Sequence, residues 1–482
     1  MQKKLTSRRL FTMLMTLSLC FTMLAAAAPQ AFAQTDRFII FSPYASVDWD
    51  AFGQYKAAFH VHTQHSDGSA PMADTIADHY NKGFDILAVT DHNVLTDRWD
   101  EAPRTPVRYE DRVSYLTAAQ KQAIYAGTFE GPFPYPFTEA RRQQSNGMIS
   151  LPATNEQSVT EHINTFWAPF NNESGDSMER ILTNASELGG LAIINHPGRY
   201  TQGQVGGLIG RAASNNPIRV ARYARLFSEF DVALGMEIFN RLDNETRSDR
   251  ILWDNLLMRL MPEGRSVFGF SNDDSHSLNQ TGYNFNMLLM PELTADAART
   301  ALEAGAFYAV ARVARNEGVN TRLPNGRAIP TGGNEDTLFL LDQTTPSIAD
   351  IAVANDIITI TGRDYDRIEW IAGGRVIATG VSLDLNAHVR DIRHNYVRAQ
   401  LISETGIAVT QPFGIWEAGA RLPQRLAQAP LPYRPEPTFY AVVVEPQPQT
   451  GDSRILPAVL TALVLVSGIG VAAVLKQKKS AA

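Results

Sequence analysis

Between about residues 51 and 313, short apolar runs alternate with longer helix-like segments. The runs fall at 57–59, 86–89, 148–151, 191–194, 236–239, 267–270 and 287–290. All are short enough to read as strands. Helix-like segments lie between them, for example at 73–82, 177–188 and 248–261. Repeated strand–helix order predicts a largely parallel sheet with helices outside, either open or closed into a barrel. After about residue 334 the pattern shifts to short alternating strands at 337–341, 348–353, 357–361, 367–371, 375–378 and 396–403. Gly373-Gly374 is a turn signal between two of them. Residues 334–418 therefore read as a small all-β, sandwich-like accessory domain. No internal repeat is evident.

The two ends carry a different kind of apolar pattern. Lys3, Lys4, Arg8 and Arg9 precede an apolar stretch over 10–28, and Ala31-Phe32-Ala33 has the small-x-small form of a cleavage site. Residues 1–33 thus read as a signal peptide, with the mature chain starting at Gln34. Ser7-Arg8-Arg9-Leu10-Phe11 is twin-arginine-like, although an ordinary secretory signal or an uncleaved anchor has the same outline. Residues 455–475 are uniformly apolar and long enough to span a bilayer core, so they read as a transmembrane anchor. Lys476, Lys478 and Lys479 make 476–482 a basic cytoplasmic tail, and the body of the chain is expected on the extracytoplasmic face. The segment 419–454 is Pro-rich and reads as an extended stalk.

A hydrophobic content of 44% and a charged content of 19% are those of a folded protein. The net charge of -7 argues against a general nucleic-acid binder. It leaves room for a small phosphorylated substrate, because bound cations supply local positive charge. The single cysteine, Cys20, lies in the N-terminal apolar run, where bulky Leu19 disfavours a lipoprotein signal. A mature chain without that run has no disulfide, thiolate ligand or thiol nucleophile.

Eight of the ten histidines lie between His60 and His276. His60 and His62 close the first apolar run, and Asp91 and His92 close the second. Glu156 follows the third, Asn195 and His196 close the fourth, Glu237 and Asn240 end the fifth, and Asp274 and His276 follow the sixth. In a parallel barrel the carboxyl ends of all strands open on one rim, so these residues should converge. A His-x-His on an extended strand points both rings to one side, and Asp274-x-His276 has the same geometry. Imidazole and carboxylate suit zinc, manganese or iron in a hydrolytic site with open positions. Glu156 is the candidate for a carboxylate shared between two cations.

The set His60-Val61-His62-Thr63, Ser66-Asp67-Gly68, Thr90-Asp91-His92-Asn93, Asn195-His196-Pro197-Gly198 and Asp274-Ser275-His276 resembles the PHP superfamily, named for polymerase and histidinol phosphatase. The resemblance implies a distorted (β/α)7 barrel over 50–330 that carries two or three divalent ions. Carried over motif by motif, His60, His62, Glu156 and Asp274 would hold one ion. Glu156, His162 and His196 would hold a second, and Asp67, His92 and His276 a third. The pairing of Glu156 with His162 is the loosest match, with Glu161 and Glu173 as competitors. Asp91 and Arg199 are candidate catalytic-site groups, Asp91 by orienting a ligand and Arg199 by gripping phosphate bidentately. Arg199 reads equally well as a solvated loop charge. Glu237 reads as structural or outer-shell, and His65, His79, His388 and His394 as non-ligands.

The implied function is hydrolysis of a phosphate mono- or diester outside the cytoplasm by metal-activated water. Alternatives are a metal-dependent hydrolase of amide or cyclic amide bonds and a non-catalytic surface protein that displays a metal. Specificity would lie in loops such as 103–146 and 200–216; oligomeric state is open.

Overall fold

The computed structural model describes residues 32–34, 37–99, 119, 147–159, 161–173, 175–201, 211–243, 246–330 and 332–427. The signal segment up to residue 31, the stalk beyond 427, the anchor at 455–475, the tail at 476–482 and nearly all of the loop 103–146 lie outside these residues. Among the described residues no helix is long and apolar enough to cross a membrane.

Helix starts follow the local chemistry. Ser177 caps the helix Met178–Glu187 by accepting from the Arg180 amide at 3.2 Å. Asn216 caps Pro217–Glu229 by accepting from Ile218 and Arg219, and Thr294 caps Ala295–Ala304, which ends at left-handed Gly305. Such caps satisfy amides that have no partner within the helix. Asp249–Leu260 buries Leu252, Trp253, Leu256 and Leu257 against Leu226 and Phe227 of the neighbouring helix. Each such side chain contributes about 1.5–3 kcal/mol by leaving water.

The strands divide between two large sheets and a smaller one. One large sheet runs in spatial order through Ile149–Ser150, Ile86–Leu87, Gly53–Ala58, Asn284–Met290 and Phe307–Ala311. The other runs Phe268–Asn272, Ala233–Asn240, Leu191–Ile194, His162–Phe166 and Asn155–Ser158. Isolated bridges join them, Val61 to Ser275 at one seam and His92 to Glu156 and Thr96 to Thr154 at the other. Two expectations are corrected here. The described strands form no continuously hydrogen-bonded barrel, because the seams consist of single bridges. Nor is the sheet largely parallel throughout. Asn155–Ser158 and His162–Phe166 form an antiparallel hairpin, and Asn284–Met290 is antiparallel to both its neighbours. The few residues between Ser158 and His162 are too short for the crossover that a parallel pair requires.

The β-rich part shares its sheet with what precedes it. Ile407–Thr410 pairs antiparallel with Phe307–Ala311, and the sheet continues through Tyr396–Ile402, Phe413–Glu417 and Phe38–Phe41. Ser347–Ala354, Ile357–Arg363 and Ser382–Asp384 make the three-stranded sheet. Its Ile348, Ile358, Ile360 and Leu383 join Trp370 and Leu401 in one buried core. The strand expected at 337–341 is instead part of a 3-10 helix, Glu335–Asp342. The Thr337 hydroxyl accepts from the Asn334 amide at 2.9 Å and donates back to its carbonyl at 2.7 Å, which fixes the helical turn.

A candidate metal centre at the strand ends

All nine expected ligands meet, although they come from five separate stretches of chain. Four overlapping groups have donor atoms within 4.8 Å of one another: His60, His62 and Asp274; His60, Glu156 and His196; His92, Glu156 and His162; and His62, Asp67, His92 and His276. The seam bridges Val61–Ser275 and His92–Glu156 bring the ligand-bearing strand ends of the two sheets together. His196 and Asp274 sit in left-handed backbone, at φ of 24° and 49°. Non-glycine residues persist there where the surroundings over-determine them, often at functional sites.

The protonation pattern follows from the partners. Nδ1 of His60 lies 2.8 Å from Glu237 Oε1 and donates to it, so the lone pair of the ring is on Nε2. That Nε2 lies 3.1 Å from Glu156 Oε1 and 3.3 Å from Asp274 Oδ1. Nε2 of His62 lies 3.1 Å from the same Asp274 oxygen and 3.5 Å from Glu156 Oε2. Both Nε2 atoms are buried without a hydrogen-bond partner. A lone pair facing two carboxylates demands a cation between them, either a proton or a metal. Bond lengths of about 2.0–2.2 Å around an ion give donor–donor edges of roughly 3.0–3.5 Å, the spacing found here. The carboxylate–histidine arrangement through Glu237 is the outer-shell support that metal-bound imidazoles normally have. The residues present therefore fit divalent cations.

Without such cations the charges compensate one another. Burial opposes the positive charge of His60, but Asp274, Glu156 and Glu237 outweigh it and hold the imidazole well above its usual range. Burial likewise opposes the charge of Glu156, yet His60 and the rings of His162 and His196 hold it well below the usual carboxylate range. Burial comes first at His276 and, with His62, lowers it against Asp274 and Asp67.

Glu156 is the hub, with His162 at 3.0 Å, His92 at 2.6 Å and the Asn195 amide donating at 2.7 Å. Its competitors stand elsewhere. Glu161 is committed to Arg222 and to the Tyr223 hydroxyl, and Glu173 lies on a turn with Asp176. Asp67 faces His276 at 3.3 Å and His92 at 3.6 Å with its side chain 56% exposed, so this third group opens to solvent. Asp91 touches no ligand ring closely. It accepts from the Thr63 amide and hydroxyl at 2.7 Å each and from the Ser66 hydroxyl at 2.6 Å, and so holds the loop that presents Asp67. His65 lies 3.9 Å from Asp91, outside the ligand groups. His388 is paired with Asp391, and His79 is packed on Phe84.

A cavity of about 370 Å³ opens over the cluster. Six of the nine expected ligands line it together with Arg199, Arg241 and Gln280. Arg241 lies 3.2 Å from Asp274 through its Nε. It belongs to no motif, and the only sequence signal for it is its place directly after the strand end at Asn240.

Residues 58–128, which contain His60, His62, Asp67 and His92, match the family model of the PHP domain. No curated protein matches the chain. Among solved structures, the chain is similar to a two-domain protein from Bacteroides vulgatus containing a predicted PHP-like metal-dependent phosphoesterase. The two are 15% identical, 76% of this chain and 88% of that one are covered, and the TM-score is 0.36. It is also similar to a lesion-specific endonuclease from Pyrococcus furiosus at 14% identity, with 52% and 56% covered and a TM-score of 0.29. The family model thus covers the stretch that carries the first of these motifs, and the rest of the motif set continues beyond it to His276.

Proposed function

We propose that the chain is a metal-dependent phosphoesterase that hydrolyses a phosphate mono- or diester. The observation that supports this most strongly is the convergence of nine histidine and carboxylate donors, two of them buried with an unpartnered Nε2. His60, His62 and Asp274, with Glu156 beside them, would hold one divalent cation. Glu156 with His162 and His196 would hold a second, and Asp67, His92 and His276 a third. When bound, such cations activate water as a nucleophile and neutralise phosphoryl charge.

The protein's own part is to bind and orient. Glu237 fixes the His60 tautomer, and Asn195 holds Glu156. Asp67 and Arg199 are the exposed members of the cavity lining, so a substrate would enter past them. No cysteine stands in the described residues, and none is needed as a nucleophile. Export of the body of the chain, through a signal at 1–33 and an anchor at 455–475, belongs to the same proposal. Protease treatment of intact cells should digest it; protection until the cells are lysed would refute that placement.

The catalytic reading is tested on the purified full chain by elemental analysis and a panel of phosphate esters and amides. The expected result is co-purifying zinc, manganese or iron and turnover of an aryl phosphate that is abolished by chelator and by His62→Ala. Turnover of amides alone, or bound metal with no turnover of any ester, would overturn it.

A further inference from the structure

The strand Ala233–Asn240 ends in a turn that is left-handed at two non-glycine residues, Arg241 (φ 53°) and Asp243 (φ 52°). Such backbone persists only where the surroundings enforce it, and here they do. Arg250 grips both Asp243 oxygens at 2.9 Å and reaches Glu317 at 2.7 Å. The Arg315 amide donates to Asp243 at 2.6 Å. The Arg241 amide donates to the Asn272 carbonyl at 3.2 Å, and the Asn284 side chain donates to the Arg241 carbonyl. The turn is pinned on both sides, while the Arg241 side chain, 34% exposed, lines the cavity beside Asp274 and His276.

Its guanidinium is under-used. Nε lies 3.2 Å from Asp274 Oδ2. Nη2 lies 3.3 Å from Nδ1 of His276, but that nitrogen is 2.9 Å from the Asp274 carbonyl and so carries the hydrogen. Two N–H groups then face each other, and the other donors of the fork have no acceptor among the described residues. A planar fork of open donors at the edge of such a cluster matches two oxygens of a phosphoryl group.

We propose that Arg241 binds the non-bridging oxygens of the substrate's phosphoryl group and sets the affinity of the site for phosphorylated compounds. This rests on the phosphoesterase reading. An arginine that only neutralised Asp274 would need neither an enforced left-handed turn nor donors left open to the cavity.

The test compares the metal-loaded full chain with Arg241→Gln and Arg241→Lys, measuring inorganic phosphate binding by calorimetry and metal content by elemental analysis. Arg241→Gln should keep its metal and raise the phosphate Kd about 10- to 100-fold, with the KM for an aryl phosphate rising in parallel. Arg241→Lys should show a smaller rise, because it keeps the charge and loses the fork. Unchanged phosphate binding in Arg241→Gln overturns the proposal and leaves the phosphoesterase reading standing. Loss of metal together with phosphate binding also overturns it, since the arginine would then serve only Asp274. A wild-type protein that binds no phosphate and turns over no ester removes both.

Discussion

Two buried polar clusters in this chain use the same kinds of side chain and end differently. Where the β-rich part meets the helix Asp249–Leu260, Asp254 accepts from Arg398 Nε at 2.9 Å, from Arg398 Nη2 at 2.8 Å and from the Tyr396 hydroxyl at 3.1 Å. Both carboxylate oxygens and both edges of the fork are satisfied. At the strand ends His60 and His62 are buried as deeply, yet their Nε2 atoms have no hydrogen-bond partner and face carboxylates. Burial of charge is common to the two, so burial does not distinguish architecture from a binding site. A ring nitrogen left open toward a carboxylate does. A buried polar group left unpaired is costly, and the strand ends escape that cost only by taking up a cation.

The largest expected effects follow from opening each cluster at its hub. Glu156→Gln keeps the shape and removes the charge that faces His60, His92 and His162. Turnover should fall on the order of 10³-fold, the upper range for losing one electrostatic group at a reaction centre. Near-normal rates with full metal content would break the comparison, because the carboxylate would then be mere architecture. Asp254→Ala leaves Arg398 buried and uncompensated, and should cost about 3–5 kcal/mol in urea unfolding. Its metal content should not change. Asp254→Leu combined with Arg398→Met should recover most of the loss, since well-packed apolar replacements of a buried pair are often neutral. The strand-end cluster admits no such apolar rescue of activity.

How much of this was legible beforehand depended on chemistry that is local in sequence. Most of the expected ligands stood out because they close or directly follow an apolar run, and His-x-His and Asp-x-His fix side-chain direction on an extended backbone, whereas Asp67 and His162 came only with the family resemblance. The seven runs of the first part map onto observed strands at 53–58, 86–87, 149–150, 191–194, 233–240, 268–272 and 284–290. The hairpin that carries Glu156 and His162 was illegible as a hairpin, because Asn155-Glu156-Gln157-Ser158 has no apolar member to mark a strand. It is held by pairing, Glu156 opposite Asn164 and Ser158 opposite His162. The split into two sheets was equally hidden, since single bridges at Val61 and His92 leave no periodic trace. Arg241 was missed because its place at the cavity depends on a left-handed turn held by Asn272, Asn284 and Arg315, all remote in sequence.

A smaller effect tests the support around the open cluster. Glu237 orients His60 and also accepts from the Asn240 and Asn272 side chains at 2.9 Å each and from the His196 amide at 2.9 Å. Glu237→Gln should lower metal affinity about 10- to 100-fold while the fold stays intact, as loss of an outer-shell carboxylate commonly does. Equilibrium dialysis against a metal buffer measures it. An unchanged affinity would mean that the His60 tautomer is set by something other than this carboxylate.

The smallest effect comes from a histidine that imitates the ligands. His79 is fully buried, and its Nε2 also has no partner. Its Nδ1 lies 2.7 Å from the Thr75 carbonyl, and its ring packs on Phe84 at 5.0 Å. What it lacks is a facing carboxylate. Burial comes first among the causes that push it down to about 3, against the Thr75 contact and with help from Lys82 and Lys56. Its folded form is therefore neutral where the unfolded chain, near 6.5, takes up a proton. Above that value the two states bind protons equally and His79 imposes no penalty. As pH falls from 6.5 toward 3 the unfolded state gains, and stability declines by up to about 1.4 kcal/mol per pH unit. His79→Leu should abolish that slope, so from pH 7 to pH 5 the variant should gain about 2 kcal/mol relative to wild type in metal-free urea titrations. If the difference between the two proteins stays constant over that range, His79 takes up its proton in the folded state as readily as in the unfolded one. A neutral ring would then no longer separate it from His60, and the facing carboxylate would have to carry the distinction alone.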